Sequence, residues 1–231
     1  MMFRQFFDAA SSTYTYILAS GVGREAVIID PVKEQLPQYL TVIADLELKL
    51  VTAIDTHTHA DHITALGSLR DALGCVTVMG QHTKAECVSY RISDGEKLKA
   101  DGIELRAMFT PGHTNESFSF VLEGQAAPAV FTGDVLLIRG SGRTDFQGGD
   151  ARASWNSIVN RLFRLPEETT VYPAHDYKGW TASSIGEERR HNPRFANKTE
   201  EQYVDIMHSL VLPNPKMMDV AVPANLACGR G

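Results

Sequence analysis

The feature of this 231-residue chain that most constrains its fold is a dense group of ionisable side chains placed directly after an apolar segment. Residues 48–54 are mostly apolar and predict a β-strand, whereas residues 55–62 contain three histidines and two aspartates. Such side chains are costly to bury unless they are paired or bind a metal. Because alternate side chains of an extended chain share a face, two of these histidines can point the same way. The pattern H-x-H-x-D-H therefore predicts a metal site, in preference to a loop of solvated histidines, and its residues are His57, His59, Asp61 and His62.

Three further ionisable residues repeat this placement at the ends of strand-like segments. His113 lies in TPGHTNES, Asp134 in VFTGDVLL and His175 in VYPAHDY. A lone histidine after a strand is more often a structural loop residue than a ligand. Strand ends held by a rigid sheet are nevertheless where binding sites usually form, so the recurrence strengthens the metal hypothesis. The histidines without this context are expected at the surface or in hydrogen bonds: His82, His191 and His208.

The succession of strand-like and helix-like segments predicts two sheets with helices outside them. Periodicity and turn signals predict strands at 14–19, 26–30, 48–54, 76–79, 103–109, 117–122, 129–132 and 170–172. They predict helices at 34–46, 62–73, 152–165, 183–191 and 199–210, the last with a capping box of Thr199 and Gln202. The tail LPNPKMMDVAVPANLACGRG is expected to be irregular.

Composition narrows the class of partner. The formal net charge is −6 and no long run of Lys or Arg occurs, so neither nucleic acid nor an anionic membrane is expected, and a small molecule is. The three cysteines form no C-x-x-C pair, which argues against a disulfide framework and for a reducing, cytoplasmic location, with Cys75 and Cys87 as buried thiols. The N-terminal residues are a poor match to a signal peptide and too short for a membrane span.

The arrangement of these residues resembles the metallo-β-lactamase superfamily over His57 to His175. The resemblance implies an α/β fold (α+β by some schemes), an αββα sandwich with metal at one edge of its sheets. It implies one domain over 1–231, with a helical or irregular C-terminal extension from about 183. It also leaves open a dinuclear zinc hydrolase of the glyoxalase II type, acting on glutathione thioesters. In that case Asp134 bridges two metals, held by His57, His59 and His113 and by Asp61, His62 and His175.

Four other segments resemble the persulfide dioxygenase family: VLLIRGSGRTDFQGGDA, YPAHDYKGW, EERRHNPR and DVAVPANLACG. That resemblance implies one Fe(II) per chain on His57, His113 and Asp134. Two histidines and a carboxylate are also the usual ligands of non-haem iron(II) oxygenases, which supports the assignment independently. The residues left to hydrogen-bond water and orient the ligands are then His59, Asp61, His62 and His175.

The implied substrates are glutathione persulfide and O2, and the implied products are sulfite and glutathione. The chain is then expected to be a homodimer, with a sulfurtransferase as a possible supplier of persulfide. Arginine suits the carboxylates of glutathione, so Arg143 and Arg194 are predicted contacts, with Tyr177 as a hydroxyl partner. An equally weighted alternative makes Arg143 a structural partner of Asp145. A third hypothesis, a non-enzymatic metal or thiol sensor, has little support.

One departure from the family pattern concerns the middle of RGSGR. Ser141 stands where the mitochondrial member of the family has a cysteine, so no role of a thiol there transfers to this chain.

Overall fold

Two six-stranded sheets pack face to face in the computed structural model, which describes residues 1–215 and 217–230. The first sheet contains, in spatial order, β1 (Met2–Asp8), β2 (Thr13–Ala19), β3 (Glu25–Ile29), β4 (Lys49–Ile54), β5 (Val76–Gly80) and β6 (Tyr90–Ile92). The next four strands, β7 (Lys97–Ala100), β8 (Ile103–Phe109), β9 (Phe118–Glu123) and β10 (Ala129–Gly133), belong to the second sheet. A two-stranded ribbon, β11 (Leu136–Leu137) and β12 (Gly140–Ser141), precedes β13 (Thr170–Pro173) and β14 (Ser183–Ser184), which extend the second sheet beyond β10.

Within residues 1–215 and 217–230, six α-helices cover the outer faces of the two sheets. They are α1 (Leu36–Asp45), α2 (Leu66–Leu73), α3 (Ala151–Val159), α4 (Ile185–His191), α5 (Glu200–Ser209) and α6 (Met218–Leu226). Two short 3-10 turns, Lys33–Gln35 and Leu162–Arg164, adjoin α1 and α3. Within the described residues, no helix has both the length and the apolarity needed to cross a bilayer.

Alternation along β2 explains how one strand contributes to two apolar layers. All seven residues of β2 are buried. Tyr16 and Leu18 face the second sheet, whereas Ile17 faces the layer under α1 and α2, because successive side chains of a strand point to opposite faces. A third apolar layer lies between the second sheet and α3 and α5, where Ile158 and Tyr203 are buried. Helix, sheet, sheet and helix therefore form four layers, and the predicted αββα fold is confirmed.

The predicted elements differ from the observed ones at several boundaries. The helix predicted from 62 begins at Leu66, because residues 62–65 are the end of the loop 55–65 that carries the ionisable side chains. The helix predicted over 34–46 starts as a 3-10 turn, and the one over 152–165 ends at Val159 before a second such turn. The capping box of Thr199 and Gln202 is confirmed. The helix predicted over 183–191 begins at Ile185, because residues 183–184 form β14. The other strands absent from the prediction are short or lie at an edge with weak alternation, and they are β1, β6, β7, β11 and β12.

The prediction of an irregular tail is wrong for residues 218–226. They form α6 despite the internal Pro223, and Ala221 and Ala224 are buried. The tail docks on the molecule, and this tertiary packing outweighs the unfavourable helix propensity of proline. Lys216 and Gly231, also in that tail, lie outside the described residues.

The prediction against a disulfide is also wrong. Cys87 and Cys228 are joined by a disulfide that links positions 141 residues apart in sequence, and buried Cys75 is the free thiol. The physical reason is the docking of α6, which brings Cys228 against the apolar layer that Cys87 also contacts. Spacing in the sequence carries no trace of this contact.

Candidate metal centre

The predicted ligand residues lie together at one edge of the two sheets. Each follows a strand: the loop 55–65 follows β4, His113 follows β8, Asp134 follows β10 and His175 follows β13. An isolated bridge between Thr13 and His175 joins the two sheets at this edge. The strand-end pattern in the sequence thus marks a single place in the fold. In contrast, His82, His191 and His208 are exposed.

Three residues, called here the open half of the site, converge through atoms that face a common point. His57, His113 and Asp134 each offer a ligand atom within 4.8 Å of the others. The Asp134 Oδ2 atom lies 3.9 Å from His57 Nε2 and 3.6 Å from His113 Nε2. Since metals bind nitrogen and oxygen at about 2.0–2.2 Å, two ligands of one ion lie at most roughly 4.4 Å apart. The donor set and its spacing therefore fit one ion.

Hydrogen bonds orient both imidazoles of the open half. The Thr56 hydroxyl donates to Asp30 Oδ2 at 3.0 Å, so its oxygen accepts from His57 Nδ1, also at 3.0 Å. His113 Nδ1 donates to the carbonyl oxygen of Arg143 at 2.8 Å. Both Nε2 atoms are consequently left with lone pairs directed into the site.

The charge states of the open half suit a cation. Burial, reinforced by the neighbouring His59 and His113, lowers the pKa of His57 well below its usual range, so the ring is neutral. Burial would raise the pKa of Asp134, but His175 outweighs burial and brings that pKa well below its usual range. A neutral imidazole and an ionised carboxylate are the forms that bind metals.

Three of the four remaining candidate ligands, Asp61, His62 and His175, form the tied half of the site, because their atoms bond to one another. His175 Nδ1 lies 2.6 Å from Asp134 Oδ1, and its Nε2 lies 2.8 Å from Asp61 Oδ2. Burial would lower the pKa of His175, but the two carboxylates raise it well above its usual range. His175 is therefore placed to donate an N–H group to each of two carboxylates, and both of its nitrogens are engaged.

Two imidazole nitrogens, one on His62 of the tied half and one on the neighbouring His59, have no protein partner among the described residues. His62 Nδ1 contacts Asp61 Oδ2 at 3.0 Å, but its Nε2 is buried and unbonded. His59 Nε2 contacts Asp30 Oδ1 at 3.1 Å, and its Nδ1 is likewise buried and unbonded. Burial would lower the pKa of His59, yet Asp30 raises it to about 9. Buried polar atoms without partners point to a bound water, ligand or ion.

The RGSGRTDFQGG run (139–149) contacts every segment of the open half. The Gly142 N–H donates to the Asp134 carbonyl at 2.7 Å, and a Cβ on Gly142 would lie 2.8 Å from His113 Nδ1, so only glycine allows this approach. The Arg143 carbonyl holds His113, and Gln147 Nε2 donates to the Thr58 carbonyl at 2.8 Å. Residues about 80 positions downstream of the first ligand therefore position it.

The three residues predicted to contact substrate differ in the protein partners that their side chains already have. The Arg143 guanidinium pairs with both oxygens of Asp145, at 2.7 and 2.8 Å, and donates to the Pro213 carbonyl. This geometry matches the structural alternative. The Arg194 guanidinium donates only to Ser141 and Met207, and no carboxylate pairs with it within 1–215 and 217–230. Tyr177 is 72% exposed and stacks on His175.

Several residues that shape the site were not predicted from the sequence. Asp30 follows β3 and has the same strand-end signal as the predicted ligands, so it could have been found. The Thr56 hydroxyl contacts the His57 ring, and Glu116 accepts a hydrogen bond from the Thr58 N–H at 2.6 Å. Such threonine and glutamate residues have no distinctive local pattern. Asn225, on α6, likewise has no sequence pattern that marks it as a residue of the site.

Comparison with known proteins agrees with the geometry. Residues 9–175 match the family described as the Metallo-beta-lactamase superfamily. A metallo-beta-lactamase of Staphylococcus aureus superposes with a TM-score of 0.89 at 24% identity, over 99% of this chain and 73% of that one, and so shares the fold. The chain belongs to the metallo-β-lactamase superfamily.

Within the superfamily the chain belongs to the persulfide dioxygenases. It is 45% identical to the human mitochondrial persulfide dioxygenase ETHE1, over 99% of this chain and 89% of the relative. The crystal structure of ETHE1 from Myxococcus xanthus superposes with a TM-score of 0.95 at 49% identity, over 99% of this chain and the whole of that one.

Proposed function

We propose that this chain is an iron(II)-dependent persulfide dioxygenase that converts glutathione persulfide, O2 and water into glutathione and sulfite. The observation that carries the proposal is the open half, where two histidines and one carboxylate present free atoms to one point. The full-length similarity to persulfide dioxygenases supports the same conclusion. The reaction balances, because the persulfide sulfur gains two oxygen atoms from O2 and one from water as it leaves as sulfite.

The proposed ligands of a single Fe(II) are His57, His113 and Asp134. A bound iron(II) ion supplies the redox chemistry that joins dioxygen to sulfur, and zinc lacks the redox states for it. The chain supplies the rest. The Thr56 hydroxyl and the Arg143 carbonyl keep both imidazoles turned with Nε2 toward the ion. His175 holds Asp134 through its other oxygen.

The tied half is proposed to help hold a water molecule and to balance negative charge beside the substrate. The His175 imidazolium lies between two carboxylates and limits the negative charge that a persulfide anion meets. The unbonded His59 Nδ1 and His62 Nε2 are placed to hold a water molecule, the third reactant. These residues would thus act without binding the iron.

Arg194 is the proposed contact for a carboxylate of glutathione. Burial lowers the pKa of Arg194, and no carboxylate among the described residues pairs with its guanidinium. A substrate carboxylate would supply the missing partner. Tyr177, exposed beside His175, is the proposed hydroxyl contact. Arg143 is proposed to hold its loop, since Asp145 already occupies its fork.

The dinuclear thioester hydrolase is not favoured. The unbonded His59 and His62 nitrogens are its one positive observation, because they could ligate a second ion. The ligand atoms of His59, Asp61 and His62 do lie within 4.8 Å of one another, but both nitrogens of His175, the further ligand expected for that ion, are engaged by carboxylates. The full-length relatives are named as dioxygenases.

Two measurements test the proposal together. Protein purified without added metal is expected to hold one iron per chain, and the iron-loaded enzyme is expected to consume O2 with glutathione persulfide. Two zinc ions per chain with thioesterase turnover, or no oxygen uptake by the iron-loaded enzyme, would refute it. The cytoplasmic location, the homodimer and the sulfurtransferase supplier stay predictions; the human relative is mitochondrial.

A further inference from the structure

The C-terminal segment DVAVPANLACG (219–229) contains none of the proposed metal ligands or substrate contacts, yet it reaches the ligand loop through Asn225. Asn225 lies in the last turn of α6 and is 3% exposed. Its side-chain oxygen accepts from the Thr64 N–H at 2.8 Å, and its amide nitrogen donates to the carbonyls of His59 and His62, each at 2.9 Å. One side chain therefore holds three backbone groups of the loop.

The chemistry of these contacts calls for a carboxamide. An amide side chain offers two N–H donors and a carbonyl acceptor together. An aspartate would direct only acceptors at two carbonyl oxygens, and an alanine would leave three backbone groups without partners. Residues 59–63 belong to no helix or strand, so no ladder of backbone hydrogen bonds replaces these contacts.

The turn after α6 is fastened to the same region by separate contacts. The Gly67 N–H donates to the Cys228 carbonyl at 3.0 Å. Gly229 lies so close to the loop that a Cβ there would be 2.0 Å from the Thr64 carbonyl oxygen. The disulfide to Cys87 then ties this turn covalently to the segment that follows β5. The position of Asn225 is consequently fixed by its own hydrogen bonds to the loop and by the contacts of Cys228 and Gly229, which follow it.

We infer that Asn225 is a positioning residue of the metal centre and that the Cys87–Cys228 disulfide secures it. The inference rests on the metal site proposed above. Asn225 fixes the carbonyls of His59 and His62 and thereby the directions of their imidazoles, which lie beside the open half. Opening the disulfide with a dithiol transfers two electrons and two protons to the sulfurs, giving two thiols and an oxidised reductant, and it loosens α6.

The test compares Asn225→Ala and Asn225→Asp with wild type and with Asn214→Ala, an exposed control in the segment before α6. Hydrogen–deuterium exchange of the metal-free proteins reports on residues 59–64. Chelator competition reports iron affinity, and the EPR spectrum of the nitrosyl adduct of the iron-loaded protein reports ligand geometry. We expect faster exchange at 59–64, about tenfold weaker iron binding and an altered spectrum for both Asn225 variants. The Asn214 variant should match wild type.

Wild-type protein with its disulfide reduced, and the Cys87→Ser variant, test whether the disulfide secures Asn225 without altering Asn225 itself. Both are expected to show the same changes with smaller amplitude, and they decide the matter if the Asn225 variants do not fold. Unchanged exchange, iron affinity and spectrum in the folded variants and in the reduced protein would overturn the inference. A wild type that binds no iron would instead refute the proposed function, while the exchange measurement on metal-free protein would still test Asn225.

Discussion

The open and tied halves of the site contain similar residues with different hydrogen-bond partners. The open half has two histidines and an aspartate, and the tied half has the same composition. In the open half the second nitrogen of each ring is bonded to a hydroxyl or a backbone carbonyl, so Nε2 is free. In the tied half His175 donates both of its nitrogens to carboxylates. Hydrogen-bond partners, and not ligand identity, therefore distinguish the halves.

This difference explains how one motif can serve one-metal and two-metal chemistry. A count of ligand residues gives seven candidates and leaves both options open. Both nitrogens of His175 lie against carboxylate oxygens, so a second ion that used His175 would have to displace a proton from one of them. The free energy of moving this proton and breaking two charge-assisted hydrogen bonds opposes a second ion.

The largest expected effect comes from breaking the open half. Asp134→Ala removes one of three proposed ligands and the carboxylate that His175 Nδ1 contacts. We expect iron affinity to fall by more than the roughly 10–100-fold typical of outer partners, and oxygen uptake to disappear. Metal analysis and an oxygen electrode measure both. Asp101→Ala, at a surface ion pair with Arg24, is the control. Iron content equal to wild type would exclude Asp134 as a ligand.

A smaller effect is expected from the tied half. His175→Gln removes the cation between Asp61 and Asp134 but leaves the three proposed ligands in place. Iron affinity should fall about 10–100-fold, with one iron still bound at saturating metal. Chelator competition followed by metal analysis checks this. If His175→Gln binds no iron at saturating metal, His175 is a ligand and the two halves are not distinct.

Substitution of Arg194 tests whether the substrate binds to a third region, outside both halves of the site. Arg194→Ala should raise the KM for glutathione persulfide about 10–100-fold, the effect of losing a charge-assisted contact, while iron content stays at the wild-type level. Steady-state oxygen uptake and metal analysis separate the two quantities. Arg143→Ala is the comparison, and it should lower thermal stability because its Asp145 pair is lost. An unchanged KM would leave Arg194 with no role in binding.

The sequence was informative where local pattern and tertiary role coincide. The β4 strand and the His-rich loop after it were predicted because apolar runs and ionisable clusters are local signals. The same holds for the predicted ligands, each placed after a strand. The Cys87–Cys228 disulfide, α6 and the Asn225 contacts depend on docking of segments more than 130 residues apart, for which no local signal exists. The states of the two halves depend on hydrogen bonds, which spacing does not specify.

The smallest expected effect concerns the support of the open half by the 139–149 run. Gln147→Ala removes one neutral hydrogen bond, to the Thr58 carbonyl between His57 and His59. A net loss of about 0.5–1.5 kcal/mol corresponds to roughly a 2–10-fold change in an equilibrium constant. Gln125→Ala removes the same kind of bond, to the Gly102 carbonyl in an exposed turn. Chelator competition should therefore show weaker iron binding for Gln147→Ala alone. Equal iron affinity in the two variants would show that the Gln147 hydrogen bond does not position the ligands. The 139–149 run would then have to act through contacts with substrate.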